Sequence, residues 1–386
     1  IARIRETLGA DTAIVCVMSG HWVQRGECAL TDKWRRAGLA LAGGADLVLE
    51  LPTPWAMASA EAFARGAVSL LGATGAVDVL SFGSESGQTA ALARLARCLN
   101  SGAYQERLGE ALKRGISFAA ARQAAAEQIL GKEAASPLSR PNDNLAVEYL
   151  RALPAGIGAL AVRRIGAEHD GPAADGYASA SAIRGMIRRG ESAEEYLTAP
   201  WTGPAAQMDR IERAVLARLR TMTTEDFAAL PDGAPAEGLP QRLYRAARQA
   251  GSLDAFYTLA KTKRYPHARL RRLALRAFLG IDAAACAGLP PYLRVLGFTP
   301  RGQVLLREIK GKAGLPVITK PARARQLPAA APAPFEREER YRELFGLCLP
   351  HALPCGLEWT CGPVRTCGRE GERQDSHQRP SPDLRR

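Results

Sequence analysis

The sequence predicts an α/β fold: a parallel sheet covered by helices in its first half, then a mainly helical, strongly basic region. Three observations predict it. Short apolar or β-branched runs alternate with amphipathic stretches up to about residue 200, helical periodicity broken by Pro and Gly takes over beyond it, and positive charge gathers in the second part.

The elements follow in order. Thr12–Met18 (TAIVCVM), Asp46–Leu51 (DLVLEL), Val77–Phe82 (VDVLSF) and Ala159–Ile165 (ALAVRRI) read as buried parallel strands. Between them Thr31–Ala42, Ser59–Leu71 and Thr89–Leu99 are amphipathic, Tyr104–Gly131 reads as helix, and Ser136–Asn144 (SPLSRPNDN) as a loop entering a helix at Leu145–Leu153. Strand–helix alternation places helices on both faces of a parallel sheet. Ligands of such sheets bind beyond the carboxyl ends of the strands, so chemistry is expected in the loops after Met18, Phe82 and Ile165. Residues 1–200 form the expected first domain, with a boundary at Trp201–Ala206 (WTGPAA). In the second, 207–345, the helical stretches are Gln207–Met222, Pro240–Gln249, Leu253–Lys263 and His267–Leu279, and Ala313–Thr319 is a candidate late strand. Periodicity is lost after about Gly346, and residues 346–386 read as a disordered or out-of-frame tail.

Composition excludes several classes. No run approaches the roughly 18–20 apolar residues that span a bilayer, and no signal peptide opens the chain, so a cytoplasmic protein is expected. Ile1 in place of Met predicts a sequence that begins inside an open reading frame. Eight cysteines in a chain of 386 residues do not make a disulfide scaffold. Cys348, Cys355, Cys361 and Cys367 cluster with His351 and His377 nearby, but none forms the close Cys-x-x-Cys pair of a tetrahedral zinc site, and no protein metal site is predicted. The net charge is +13; residues 241–325 hold 18 Lys or Arg against Asp254, Asp282 and Glu308, a local +15, which leaves −2 for the rest. One basic segment on a near-neutral body is the footprint of a polyanion binder, and over this length nucleic acid is the better reading than a solvated face.

Five motifs carry candidate chemistry. In Met18–Ala29 (MSGHWVQRGECA), Ser19 and Gly20 permit a tight turn, while Gln24 and Arg25 could hold an anion or an amide edge; an ordinary connecting loop is the bland alternative. In Ser81–Ser86 (SFGSES), Gly83 lets a ligand approach the backbone, although a small-residue turn is often only a turn. In Pro141–Tyr149 (PNDNLAVEY), Asn142 suits an adenine or ribose edge, yet Asn142 or Asn144 could simply cap the helix. Arg163 and Arg164 end a strand and point to opposite faces, so at most one reaches a cleft. In Ser179–Arg184 (SASAIR), serines on a first helical turn with Arg184 one turn on make a phosphate site, with Ser179 as a plain cap the alternative. His169-Asp170 reads as a surface turn.

Together these segments resemble a family. MSGHWVQRGECALTDKWRRAGLALAGGADLVLELP, SFGSES, PNDNLAVEYLRAL, VRRIGAEHD, SASAIR and KTKRYPHARLRRLALRAFLGI occur in the order found in the bacterial tRNA(Met) cytidine acetate ligases, over roughly residues 1–325. The resemblance implies a Rossmann-like nucleotidyltransferase fold. It further implies that ATP, expected with Mg2+, and acetate give acetyl-adenylate, and that the acetyl group passes to the wobble cytidine of elongator tRNA(Met) to give N4-acetylcytidine. By the same resemblance Gly83, Asn142 and Arg164 (or Arg163) match ATP-contacting positions, and Ser179, Ser181 and Arg184 match the phosphate motif. Lys261, Lys263, Arg264, His267, Arg269, Arg271 and Arg272 become the expected tRNA-binding set. The family has Asn-Asn where this chain has Asn142-Asp143. It also opens with a strand and loop of the form Glu-Tyr-Asn-Pro-Phe-His-Asn-Gly-His, whose histidines contact the ATP phosphates, and this sequence starts after that segment, so no catalytic residue is assigned. Two rival readings are an adenylyltransferase for a small phosphorylated metabolite and a non-catalytic RNA-binding remnant.

Overall fold

The computed structural model of the chain describes residues 1–164, 178–234, 237–327 and 332–366. Strand β1 (Val15–Ser19) pairs in parallel with β4 (Leu47–Leu51), and β4 pairs antiparallel with β7 (Leu293–Phe298). Strands β8 (Val317–Ile318) and β9 (Val364–Arg365) each pair in parallel with β7. A short hairpin, β2 (Trp22–Val23) with β3 (Glu27–Cys28), leaves the carboxyl end of β1. Two further strands, β5 (Val79–Ser84) and β6 (Gly158–Arg163), form a separate parallel pair.

The parallel sheet read from the sequence is therefore divided. Among the described residues each of β1 and β5 is paired along one edge, and a cavity of about 860 Å³ lies between them. Successive residues line it, Val15, Cys16 and Val17 from one strand and Val79 through Gly83 from the other. Side chains of a strand alternate between faces, so a lining of consecutive residues is the signature of an edge.

The three largest apolar cores among the described residues hold this arrangement. One lies on the sheet (Leu47, Leu49, Leu51, Val295, Phe298, Leu306), and one joins β5 and β6 to helices Thr89–Leu99, Phe118–Leu130 and Pro141–Ala152. The third fills a helical lobe built from Glu212–Thr221, Leu239–Gln249, Leu253–Ala260 and His267–Leu279, and it takes in Trp22 and Cys28 of the hairpin. Hairpin and helical lobe thus share one core.

Several expectations change. The stretch read as one helix over Tyr104–Gly131 is two, Gly102–Lys113 and Phe118–Leu130, because Gly115 adopts φ +74° and Ser117 caps the second by accepting from the Ala120 amide. The mainly helical stretch from 207 to 345 is interrupted by β7, which returns to the first sheet. The segment after Gly346 is not disordered over its described part. Cys348 is buried, Glu358 is 1% exposed, and β9 extends the sheet; residues 367–386, with Cys367 and His377, lie outside the described residues.

Buried charges pin that segment down. Lys33 Nζ lies 2.9 and 2.8 Å from the two Glu50 oxygens and 2.8 Å from Glu358 Oε1, with Arg294 3.6 Å from the same oxygen. Burial alone would favour a neutral Lys33 amine, but Glu358 and Glu50 outweigh it and hold the ammonium above its usual range. Glu338 accepts from the Thr53 amide (2.6 Å) and hydroxyl (2.7 Å), while burial and the neighbouring Glu50 push it up to about 8. No helix among the described residues is long and apolar enough to cross a membrane.

Candidate functional site

The expected residues fall into two sets: Gly83, Asn142 and Arg164 share the cavity beyond β5, whereas Arg25, Ser181 and Arg184 gather with one another on the side of β1. At β5 the cavity is lined by Ser81, Gly83, Asn142, Tyr149 and Arg164. Gly83 is exposed at the strand end, where a Cβ would make only an ordinary contact, 3.7 Å from Arg164 Cγ. Arg164 donates its amide to the Ser84 carbonyl (2.9 Å) and lines the cavity, while Arg163 packs over Gly87. Only one of the two arginines faces the cleft. Burial pushes the Tyr149 phenol up to about 12, so it lines the cavity as a neutral group.

Asn142 is set by a clamp that sequence reasoning missed. Helix Pro141–Ala152 has Pro at N1 and no side-chain cap from its own N-cap residue. Its first amides are satisfied from the loop that follows β5 instead: Glu85 Oε1 accepts from the Asn142 amide (3.0 Å) and side chain (2.7 Å), and Oε2 from the Asp143 amide (2.6 Å). Neither Asn142 nor Asn144 caps the helix. Partial burial would raise Glu85, but the bonds from Asn142 and Asp143 prevail and hold its carboxyl below the usual range. Asp143, fully buried, accepts in return from the Ser84 hydroxyl and from the Ser86 amide (3.2 Å). The signal was available in SFGSES, where a glutamate sits among residues read as a turn.

At β1 the elements converge on an arginine cluster. Arg36 Nη1 donates to the carbonyls of Ser19 (2.7 Å) and Gly20 (2.6 Å), and a Cβ at Gly20 would collide with the Glu50 carboxylate. Burial brings Arg36 down to about 10, opposed by Asp32 and Glu50 and reinforced by Arg184. Ser181 Oγ accepts from Arg25 Nη1 (2.9 Å) and Arg184 Nη2 (3.1 Å) on the first turn of helix Ala180–Arg189. Ser179 is the N-cap of that helix, its hydroxyl accepting from the Ala182 amide (3.1 Å), and it is buried. A helix N-terminus beside three guanidinium groups favours bound anions. His169-Asp170 lies outside the described residues. His21 is 2% exposed between Phe345 and Trp34, and burial followed by Lys33 drives it well below its usual range. It is a neutral core residue.

The basic residues divide into two groups. Lys261, Lys263 and Arg264 are exposed on the loop after helix Leu253–Ala260. His267 and Arg269 are half-buried, and Arg269 donates to the Asp232 carbonyl (2.9 Å). Arg271 pairs with Glu27 (2.9 Å), and Arg272 reaches the Gln24 carbonyl (3.4 Å) with burial bringing it down to about 10. Gly26 (φ +74°) lets the hairpin touch this helix, because a Cβ would stand 2.6 Å from the Arg272 nitrogen. Arg271 and Arg272 thus dock the Gln24–Arg25 hairpin onto the helical lobe instead of facing solvent freely. Among the described residues no group of three His, Cys, Asp or Glu could hold a metal ion.

The α/β fold, with an exposed glycine, an amide and an arginine-flanked helix start beyond its parallel strands, places the chain in the nucleotidyltransferase-like class. Residues 1–349 match the family model described as HIGH Nucleotidyl Transferase. The tRNA(Met) cytidine acetate ligase of Caldanaerobacter subterraneus subsp. tengcongensis is 37% identical over 332 residues, covering 80% of this chain and 81% of the relative. That of Syntrophotalea carbinolica is 39% identical over 340 residues, 83% of this chain and 80% of the relative. The crystal structure of Thermotoga maritima TmcAL bound with alpha-thio ATP superposes with a TM-score of 0.85 at 30% identity, covering 95% of each chain. This chain belongs to the tRNA(Met) cytidine acetate ligase family.

Proposed function

We propose that this chain activates acetate with ATP and acetylates the wobble cytidine of elongator tRNA(Met), as the resemblance implies. An acetate oxygen attacks the α-phosphorus of ATP, the bond to the bridging oxygen breaks, and pyrophosphate leaves. The cytidine N4 then attacks the acetyl carbon of acetyl-adenylate, AMP leaves, and N4 loses a proton. The wobble base lies in a single-stranded loop, where its Watson–Crick edge is open to reading.

The observation that carries this reading is the grouping of Gly83, Asn142 and Arg164 on one cavity at the sheet's carboxyl edge. Gly83 admits the nucleotide close to the backbone, and Asn142, held by Glu85, presents an amide edge to adenine or ribose. Arg164 on one side and Arg25, Arg36, Ser181 and Arg184 on the other supply charge for the phosphates, with Ser19 and Gln24 on the same loop for the carboxylate substrate. Positioning is the main task, since acetate is a weak nucleophile and water competes for the adenylate. Magnesium enters with the triphosphate as part of the substrate. Lys261, Lys263 and Arg264 offer exposed charge to tRNA phosphates.

ATP binding measured calorimetrically on the folded chain tests the cleft. Asn142→Ala and Arg164→Ala should each weaken it about tenfold, one charge-assisted or buried polar contact apiece. Thermal stability without nucleotide should be nearly unchanged for Arg164→Ala. Parent-like ATP affinity in both variants would move the nucleotide elsewhere.

A further inference from the structure

We infer that the turn after helix Gly102–Lys113 is a second RNA contact, with Phe118 as the face on which an unpaired base stacks. The inference rests on the RNA substrate proposed above and adds a surface on the sheet side of the molecule. Leu112, Ile116 and Phe118 are 40%, 40% and 54% exposed, three large apolar side chains within seven residues. Such a patch normally marks an interaction site.

Its surroundings name the partner. Lys113 and Arg114 are exposed within the same turn, and Arg264 crosses from the basic loop to donate Nη2 to the Gly115 carbonyl at 2.7 Å. The hydrogen bond sets the loop Lys261–Pro266 against the turn. The two segments 112–118 and 261–266 together carry Lys113, Arg114, Lys261, Lys263 and Arg264, and no Asp or Glu. An apolar protein surface gains nothing from five unpaired-sign cations at its rim, whereas a single-stranded RNA loop matches both features. Its phosphates meet the cations, and its bases offer flat faces to an aromatic ring. Local structure holds the ring in place: Gly115 reverses the chain at φ +74°, Ser117 caps the next helix, and Phe118 is the first residue of that helix.

The test measures binding of an unmodified tRNA(Met) transcript to the full chain by fluorescence anisotropy across a series of salt concentrations. Phe118→Ala should weaken binding about 5- to 150-fold, the effect of losing one base–aromatic stack, with an unchanged salt slope. Phe118→Trp should bind like the parent and Phe118→Leu like Phe118→Ala. The double variant Lys263→Glu/Arg264→Glu should bind more weakly with a flatter slope. If the double variant weakens while Phe118→Ala binds like the parent, the stacking inference is wrong and the tRNA reading stands. If neither weakens, the tRNA reading of this face fails and takes the inference with it. If Phe118→Leu binds like the parent, or sedimentation shows a parent dimer that Phe118→Ala dissociates, the patch is an apolar contact between copies and the inference is overturned.

Discussion

Replacing Glu85 by Gln removes one negative charge and little else, and it acts on the clamp that sets Asn142. In the parent, Oε1 takes two donors from Asn142 and Oε2 takes the Asp143 amide. A glutamine keeps one acceptor oxygen and turns an NH2 toward the other donor, so one charge-assisted bond is lost and a helix-start amide faces another donor. Such a bond contributes about 1.5–3 kcal/mol, and the low end applies because Glu85 is only half-buried. A carboxylate at a helix N-terminus adds about 0.3–1 kcal/mol. The expected loss in unfolding free energy by denaturant titration at neutral pH is therefore about 2 kcal/mol. ATP affinity should fall with it, since Asn142 loses its anchor. The sign with pH is fixed by the lowered carboxyl: its folded pKa lies below the unfolded value, so its contribution is complete above about pH 4.3 and is lost as pH falls through the folded pKa. The gap between parent and Glu85→Gln should thus be constant near neutrality and close in acid. A gap that persists undiminished in acid, or a variant as stable as the parent at neutral pH, would refute the clamp.

The sequence made the first half legible because its strands are continuous apolar runs and its helices carry clear apolar stripes. Helix Thr89–Leu99 falls where periodicity puts it, with Leu92, Leu95, Ala96 and Leu99 inside. What stayed hidden was long-range. Strand β7 (LRVLGF) carries Arg294 in a fully buried strand, a residue type that argues against the core until Glu358, 64 residues later, is placed beside it. The segment after Gly346 lacks periodicity for a related reason: Lys33 and the edge of β7 hold it, and its apolar residues Cys348 and Leu349, Trp359 and Val364 pack into three different cores. In the site, Gly83, Asn142 and Arg164 were visible as types at strand and helix ends and do share a cavity. Glu85 and Asp143 were not, because their role depends on a pairing across 57 or 58 residues that no local pattern encodes. Arg271 and Arg272 look like phosphate ligands in one dimension, and only their contacts with Glu27, Gln24 and Gly26 show them engaged with the hairpin.

Three further expectations follow from the same contacts. Lys33→Met strands the buried Glu50 carboxylate and leaves Glu358 only its longer contacts with Arg294 and Arg342, a loss of about 3–5 kcal/mol, and should lower the melting temperature by roughly 4–6 °C while opening residues 346–366 to protease; a melting point within about 1 °C of the parent would contradict the network. Gly26→Ala meets both a φ of +74° and a backbone nitrogen 2.6 Å away, so it should cost about 1–3 kcal/mol and release the hairpin from the Arg271 helix, with unchanged hairpin protection in hydrogen exchange as the contrary result. The last concerns the divided sheet. Among the described residues Val15–Val17 and Val79–Gly83 present two unpaired edges across one cavity, and unpaired edges invite intermolecular pairing. One more parallel strand between them would satisfy both edges at once. A segment of the form Glu-Tyr-Asn-Pro-Phe-His-Asn-Gly-His, joined ahead of Ile1, which itself lines the cavity, starts from the right place to enter it. Its strand should raise the melting temperature and suppress aggregation, while its histidines, arriving beyond the strand's carboxyl end beside Gly83, should stabilise charge as pyrophosphate leaves. Replacing those histidines by Ala separates the two effects: stability should stay and acetate-dependent ATP–pyrophosphate exchange should go. A joined segment that leaves stability unchanged, or exchange that survives replacement of its histidines, would mean that the cavity is not a strand slot and that the adenylation chemistry lies elsewhere.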